Sequence, residues 1–408
     1  MSSAPPQRPG LLTAGRPLVW DMLPAEQQPH WRDHSSYAAT RRALLEAAPL
    51  VLPTEIAELR GQLAAVASGR ARLLQAGDCA ENLTEQTPRH IAGKISVLNA
   101  LGDHLAARTG QDVVRIGRIG GQFAKPRSAA TERHAGSELP SFRGHMVNAE
   151  EPTPEARQHD PRRMLLAYEA AALVSEHLRE ARHQGAAADS PRIASGPWAS
   201  HEALVIDYEG PLVRSTPDGR EYLASTHLPW IGERTRQPDS AHVDMLSVVQ
   251  NPVACKIGPT AGPAEVVKLC GLLDPERSPG RLTLILRLGR TRAADVLPGI
   301  VDAVRHAGHP VIWAVDPMHG NTEHTQSGIK TRHLRHIAEE TTVFLHVLER
   351  QGAHPGGLHL ETAATDVTEC LGAGIRSEDA LDRSYTTLCD PRLNPEQAHE
   401  LIRMLFRS

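Results

Sequence analysis

The chain predicts an α/β fold, a (β/α)8 TIM barrel with an N-terminal helical extension. Three observations carry that expectation. Eight short apolar runs recur along 408 residues. Helical patterns separate most of them, the signature of a parallel sheet with crossover helices. Residues with unusual chemistry fall just after the runs, the end of a barrel at which active sites are assembled. A doubly wound open sheet is the structural alternative.

In chain order, residues 1–50 read as a tail and one or two short helices. An amphipathic helix follows over 54–67, with Thr54 as N-cap and Gly69 just past its end. The candidate strands are 72–76, 113–118, 192–195, 223–227, 254–257, 282–286, 311–314 and 358–360. The plainest helices between them are 87–108, 160–183, 292–306 and 332–350, and Asp160-Pro161 and Asn394-Pro395 are cap-plus-proline starts. Residues 185–191 are small and polar, a flexible connection. There is no repeat at a solenoid period. The organisation expected is an extension over 1–70 and one barrel over 71–408.

Composition narrows the function. At 40% hydrophobic residues a large core can be buried, and a net charge of −4 gives no basic field for nucleic acid. Aromatic residues make up only 3%, little material for stacking bases. No apolar run approaches the ~20 residues needed to cross a membrane, and the polar, proline-rich start has no signal-peptide pattern. The five cysteines, Cys79, Cys255, Cys270, Cys370 and Cys389, are scattered and odd in number, which argues for a reducing compartment, the cytoplasm. The 22 histidines lie mostly among exposed-looking polar residues.

Four positions at strand ends carry metal-ligand chemistry: Cys79, His319, Glu361 and Asp390. A thiolate, an imidazole and two carboxylates suit a divalent transition ion. Singly, each has a plainer explanation: a buried small hydrophobe, a hydrogen-bonding side chain, an Asp capping a turn before proline. No close-spaced pair such as CxxC or HExxH supports them, so spacing alone does not establish a metal.

A second concentration is basic. Arg115, Arg118, Lys125 and Arg127 lie among glycines after the second run; Arg234 and Arg236 follow the fourth; Lys256 lies in the fifth; Arg287 and Arg290 follow the sixth. Lys256 and Arg287 sit in otherwise apolar runs, where an unpaired charge is costly. Guanidinium forks converging on a barrel mouth suit phosphate and carboxylate groups. Structural ion pairs are the competing explanation for any one of them. No P-loop, dinucleotide GxGxxG or G-x-S-x-G elbow is present.

Several blocks in one order resemble type II (plant-like) 3-deoxy-D-arabino-heptulosonate 7-phosphate (DAHP) synthases. They are Gln75-Ala76-Gly77-Asp78-Cys79-Ala80-Glu81, the segment 118–128 against R-I-x-G-Q-[YF]-A-K-P-R-S, Ala199-Ser200-His201-Glu202, and the segments 230–236, 251–259, 316–322, 367–370 and 387–394. The resemblance runs from about residue 28 to 405. It implies a barrel enzyme that condenses phosphoenolpyruvate with erythrose 4-phosphate, and a homodimer or homotetramer. It implies Cys79, His319, Glu361 and Asp390 as ligands of a divalent metal (Mn or Co, with Zn or Fe possible on chemistry alone). It implies Arg118, Glu233, Arg234, Lys256 and Arg287 at the phosphoenolpyruvate site, with Glu233 near the reacting water. Lys125, Arg127 and Ser128 are implied at the erythrose 4-phosphate site.

Three departures qualify the resemblance. Arg143-Gly144-His145 stands where the family often has Arg-Gly-Asp, and Thr362-Ala363 replaces Thr-Gly. Only residues 185–198 fill the place where longer members carry a helical pair that builds aromatic amino-acid sites. The chain therefore resembles the short, phenazine-type subgroup, and weak or absent feedback inhibition is expected. Cys389 adjoins Asp390 and is expected near Cys79, close enough for a disulfide once metal is lost. Two rivals stay open: an amino-DAHP synthase using an imino sugar phosphate, and a non-catalytic sensor of phosphorylated metabolites.

Overall fold

A computed structural model describes residues 19–134, 136–186 and 196–406. Eight strands close a parallel barrel in chain order: β1 (Ala71–Gly77), β2 (Asp112–Arg118), β3 (Trp198–Glu202), β4 (Leu228–Ile231), β5 (Val253–Ile257), β6 (Leu282–Leu286), β7 (Ile312–Val315) and β8 (Pro355–Glu361). Strands β3 to β8 are buried residue for residue, as expected where helices cover a parallel sheet from outside.

Register decides where the chemistry goes. Gly77 at the end of β1 lies opposite Arg118 on one side and Glu361 on the other. Three strand ends therefore share one level at the C-terminal mouth. Lys256 pairs with Ile285 one residue short of the ends of β5 and β6.

The extension consists of α1 (Tyr37–Glu46) and α2 (Pro53–Ala67). Helix α2 packs Leu59, Leu63 and Val66 among barrel residues Leu73, Val114, Ile116, Trp198 and Ile312. Trp198 Nε1 donates to Gln62 Oε1 at 3.0 Å. The helix immediately precedes β1, so it plugs the N-terminal end and leaves the other mouth open. Upstream of it, Gln27 Oε1 accepts from the Arg127 amide at 2.9 Å, tying the extension to the loop after β2. The remaining large helices are α3 (Pro88–Thr109), α4 (Arg163–Ala186), α5 (Ala241–Val248), α6 (Pro263–Leu273), α7 (Ala293–His306), α8 (Leu334–Arg350) and α9 (Pro395–Leu405). Among the described residues, no helix is long and apolar enough to cross a membrane.

Several element boundaries differ from the expectation. The third strand is Trp198–Glu202; the expected run 192–195 and the connection 185–191 lie largely outside the described residues. The fourth is Leu228–Ile231, whereas Leu223 ends a small antiparallel hairpin formed by Val213–Ser215 and Glu221–Leu223. Pro229 explains the slip: it cannot donate to a ladder, so the proline-free run upstream reads as the better strand. Helix α2 starts earlier than expected, and Thr54 lies inside it rather than capping it. Leu52 is its N-cap, Pro53 is its first residue, and the Glu55 carboxylate accepts from the Leu52 amide at 2.7 Å. Helices α4 and α8 begin at Arg163 and Leu334, later than the expected 160 and 332. Many histidines are buried, among them His145, His201, His227, His242 and His359.

Candidate active site

Cys79 lies just beyond β1, Glu361 ends β8, and Asp390 lies in the loop before α9. One Cys79, Glu361 and Asp390 ligand atom each lie within 4.8 Å of one another. The Cys79 Sγ is 3.8 Å from Asp390 Oδ2. His319 does not belong to that three-way cluster, but its Nε2 is 3.1 Å from Glu361 Oε1. Its other nitrogen, Nδ1, is 2.7 Å from Asp316 Oδ2. A carboxylate on one imidazole nitrogen orients the ring and leaves the other for a metal.

Glu361 is wholly buried and held from both sides. Arg118 donates to Oε1 at 2.9 Å and Arg332 to Oε2 at 2.7 Å, with Lys125 Nζ 3.8 Å from Oε1. Burial opposes its charge, yet His319, Arg332, Lys125 and Arg118 together hold its carboxyl well below the usual range. Asp390 is also held low: burial opposes ionisation, and Lys125 and Arg332 overcome it. Burial pushes the Cys79 thiol up, and its hydrogen bond with Cys389 and the nearby Glu361 add to that. An incoming cation would displace that proton, since the thiolate is the ligand form. The residues present therefore fit a divalent ion: soft and hard donors together, with two carboxylates already ionised.

Asp316 organises the far side. Its Oδ1 accepts from the Met318 and His319 amides at 3.1 and 3.2 Å, and its Oδ2 pairs with Lys256 Nζ at 2.7 Å. Burial lowers the Lys256 ammonium below the ordinary lysine range, Asp316 opposing and Arg118 adding to the effect. Beneath them runs a buried polar chain. Arg118 Nη1 donates to His359 Nε2 at 2.5 Å, and His359 Nδ1 meets Gln75 Oε1 at 2.7 Å. A guanidinium only donates, so His359 is neutral with its proton on Nδ1.

Beside the metal cluster is a cavity of about 170 Å³ lined by Arg118, Lys125, Arg234, Lys256 and Arg287. Trp230, Gln122, Glu202, Glu233, His319 and Asp390 complete much of its wall. Five cations around a space this small suit polyanionic ligands. The Arg118 guanidinium is 5.1 Å from the Trp230 ring centroid and the Lys256 ammonium 5.8 Å. Arg127 and Ser128 stand outside the lining: Arg127 pairs with Glu132 at 2.9 Å, and Ser128 Oγ accepts from Arg234 at 2.8 Å. Arg290 is turned toward Glu339 instead, at 4.0 Å.

Glu233 is less free than expected for a group acting on water. Arg236 grips both its oxygens at 2.9 Å, and the Gly258 amide donates to Oε2 at 2.5 Å. His145, in the departure from Arg-Gly-Asp, accepts from the Leu83 amide at 3.1 Å and contacts Glu150, so it ties the loop after β1 to the segment before α4. On α8, Glu340 Oε1 accepts from the Leu288 and Gly289 amides at 3.0 and 2.8 Å, while Asn321 donates to Oε2 at 2.6 Å. Gly289 and Gly320 meet backbone to backbone there; a Cβ on Gly320 would lie 2.5 Å from the Gly289 nitrogen.

Sequence reasoning missed Arg332, Asp316, His359, Gln75 and Trp230 as parts of the site. Asp316 was legible as a charge ending an apolar run, and His359 as a polar residue inside one. Arg332 was hidden in what reads as the start of a helix.

Fold and site together define a (β/α)8 barrel enzyme with a candidate metal-binding cluster beside a cation-lined cavity. The chain belongs to the class-II DAHP synthetase family, whose profile matches residues 16–197 and 194–405. It is 47% identical over 378 residues to a probable phospho-2-dehydro-3-deoxyheptonate aldolase of Pseudomonas fluorescens, covering 92% of each chain. It is 41% identical over 426 aligned positions to the phospho-2-dehydro-3-deoxyheptonate aldolase of Mycolicibacterium smegmatis, covering 93% of this chain and 91% of that one. The solved structure of the phospho-2-dehydro-3-deoxyheptonate aldolase of Francisella tularensis shares the fold, with a TM-score of 0.53 at 14% identity over 90% of this chain and 94% of that one.

Arg332→Met should leave the buried Glu361 carboxylate under-neutralised, at a cost of about 3–5 kcal/mol, and reduce the metal retained. Thermal melting and metal content on one preparation check this. Unchanged melting with full metal content would show that Arg118 alone suffices.

Proposed function

We infer that this family member is a DAHP synthase. It condenses phosphoenolpyruvate with erythrose 4-phosphate to give DAHP and phosphate, the first step of the shikimate pathway. The observation that carries the reading is the five-cation cavity placed directly against the Cys79, Glu361 and Asp390 cluster. Two phosphorylated substrates and a carbonyl to be polarised call for that pairing.

In this reading Cys79, His319, Glu361 and Asp390 hold the divalent ion, assigned as Mn or Co; the mixed donor set also accommodates Zn or Fe, and availability rather than donor chemistry selects among them. Bound there, the ion supplies Lewis-acid polarisation of the aldehyde oxygen. Arg234, Lys256 and Arg287 bind the phosphoenolpyruvate phosphate. Arg118 contributes its charge and little more, because its donors already serve Asp78, His359, Cys79 and Glu361. Lys125, Arg127 and Ser128 receive erythrose 4-phosphate, Arg127 after exchanging Glu132 for the ligand. Holding the two reactants in one geometry supplies ~7–11 kcal/mol in favourable systems.

The finer assignments follow the same reading. The chain divides into an extension over 1–70 and a catalytic barrel over 71–408, acts in the cytoplasm and assembles as a homodimer or homotetramer. Helix α4 ends at Ala186 and β3 starts at Trp198, too short a stretch for the helical pair of longer relatives. That supports membership of the short, phenazine-type subgroup, feeding secondary metabolism. A complete ligand set and phosphate clamp disfavour a non-catalytic sensor. The imino-sugar alternative is separated by assay with erythrose 4-phosphate alone.

Metal-stripped enzyme given both substrates should release phosphate only after Mn²⁺ or Co²⁺ is added, and Cys79→Ser should abolish that response. Turnover that survives chelation would remove the metal from the mechanism.

Cys79 and Cys389 share a hydrogen bond. Metal-free enzyme exposed to air, with dioxygen accepting the two electrons, should form a disulfide between them. Mass spectrometry finding two free thiols would exclude it.

Phenylalanine, tyrosine and tryptophan should leave the rate essentially unchanged at physiological concentrations. Strong inhibition by any of them would overturn the subgroup reading.

A further inference from the structure

We propose that the strap formed by residues 24–28 of the N-terminal extension is part of the erythrose 4-phosphate site, with Gln27 as the positioning residue that aims Arg127; this rests on the condensation inferred above. The first sign is conformational. Gln27 has φ +63°, a left-handed backbone that non-glycine residues rarely adopt. Such a residue persists only where its neighbours over-determine it, and it gathers where positioning matters.

The neighbours all belong to the barrel mouth. The Ala241 amide at the start of α5 donates to the Pro24 carbonyl at 2.9 Å. The Gln28 side chain is held at both ends, just after β3: Nε2 donates to the Leu204 carbonyl at 2.8 Å, and Oε1 accepts from the Ile206 amide at 2.9 Å. Clamped there, the strap turns Gln27 toward the loop after β2. Gln27 Oε1 accepts from the Arg127 amide at 2.9 Å. The Gln27 carbonyl accepts from the Arg143 guanidinium, and the Gln28 carbonyl from Arg143 Nη1 at 3.2 Å. The Arg143 carbonyl in turn accepts from the Lys125 amide at 2.9 Å. Lys125 and Arg127 are therefore fixed by one circuit that runs through Gln27.

The circuit holds backbone and leaves the Arg127 guanidinium exchangeable. That group pairs with Glu132 at 2.9 Å, but Arg157 also holds Glu132, at 2.5 Å. A phosphate that draws Arg127 away thus leaves no bare carboxylate behind. Without the Gln27 acceptor, the Arg127 backbone loses its anchor and its guanidinium starts from a spread of directions. The ligand must then meet that ordering cost itself.

The test uses metal-loaded, full-length enzyme. Alanine bears the same left-handed backbone cost as glutamine, so Gln27→Ala removes only the side-chain acceptor. It should raise KM for erythrose 4-phosphate about 3–10-fold, the loss of one hydrogen bond. KM for phosphoenolpyruvate, kcat, metal content and melting temperature should hold. Gln27→Gly, which relieves the backbone, should raise the same KM to the same degree. In an Arg127→Ala background, Gln27→Ala should add nothing, because it acts through that guanidinium. The proposal is overturned if Gln27→Ala leaves KM for erythrose 4-phosphate within about twofold of wild type, or if both KM values rise together as the melting temperature falls. Losses that multiply in the double variant would also overturn it. Wild-type enzyme that releases no phosphate would instead remove the condensation reading itself.

Discussion

The site depends on one buried arrangement: the Glu361 carboxylate clasped between Arg118 and Arg332. All three side chains are at most 1% exposed, so none can be stabilised by water. Removing either guanidinium would leave the charge under-neutralised in a low-dielectric interior, which is why such clusters persist once formed. From this clasp the rest is positioned. Arg118 also holds the Asp78 and Cys79 carbonyls, and Arg332 holds the Pro391 carbonyl beside Asp390. The same two cations that keep Glu361 ionised therefore locate the loops bearing the other members of the metal cluster.

A further layer of carboxylates supports the loops. Glu81 accepts from three successive amides, Gly120, Gly121 and Gln122, at 2.9–3.1 Å, shaping the turn that leads to Lys125. Arg392 bridges Asp78 and Glu369 at 2.6 and 2.8 Å, joining the loop after β1 to the C-terminal loop. Surface pairs of this kind contribute little. Here the groups are buried and each is paired with an opposite charge or backbone amides, and their effect is to fix geometry.

The barrel was legible because its strands are short, apolar and separated by helices whose caps obey simple rules, as Thr87 and Asn394 do. The weakest places were chemical exceptions. Pro229 lies inside β4, and the third strand follows directly on Gly196-Pro197, where a break reads more naturally than a start. Cys79, Glu361 and Asp390 could be grouped by their strand-end positions, but only the family resemblance made them a ligand set, since 311 positions separate the first from the last. Closure of β1 against β8 brings them together, and no local pattern encodes that. Roles were harder still. Glu233 looks like a free acid in the sequence, and only the fold shows Arg236 already holding it.

Glu340 and the contact between Gly289 and Gly320 have a thermodynamic consequence. The loop carrying Arg287 and the loop carrying His319 are fastened to the same carboxylate and touch along their backbones, so they form one mechanical unit. Whatever orders one loop has already met part of the entropy cost of ordering the other. If the proposed function holds, metal and phosphate would therefore bind cooperatively, and by linkage each would strengthen the other by the same factor.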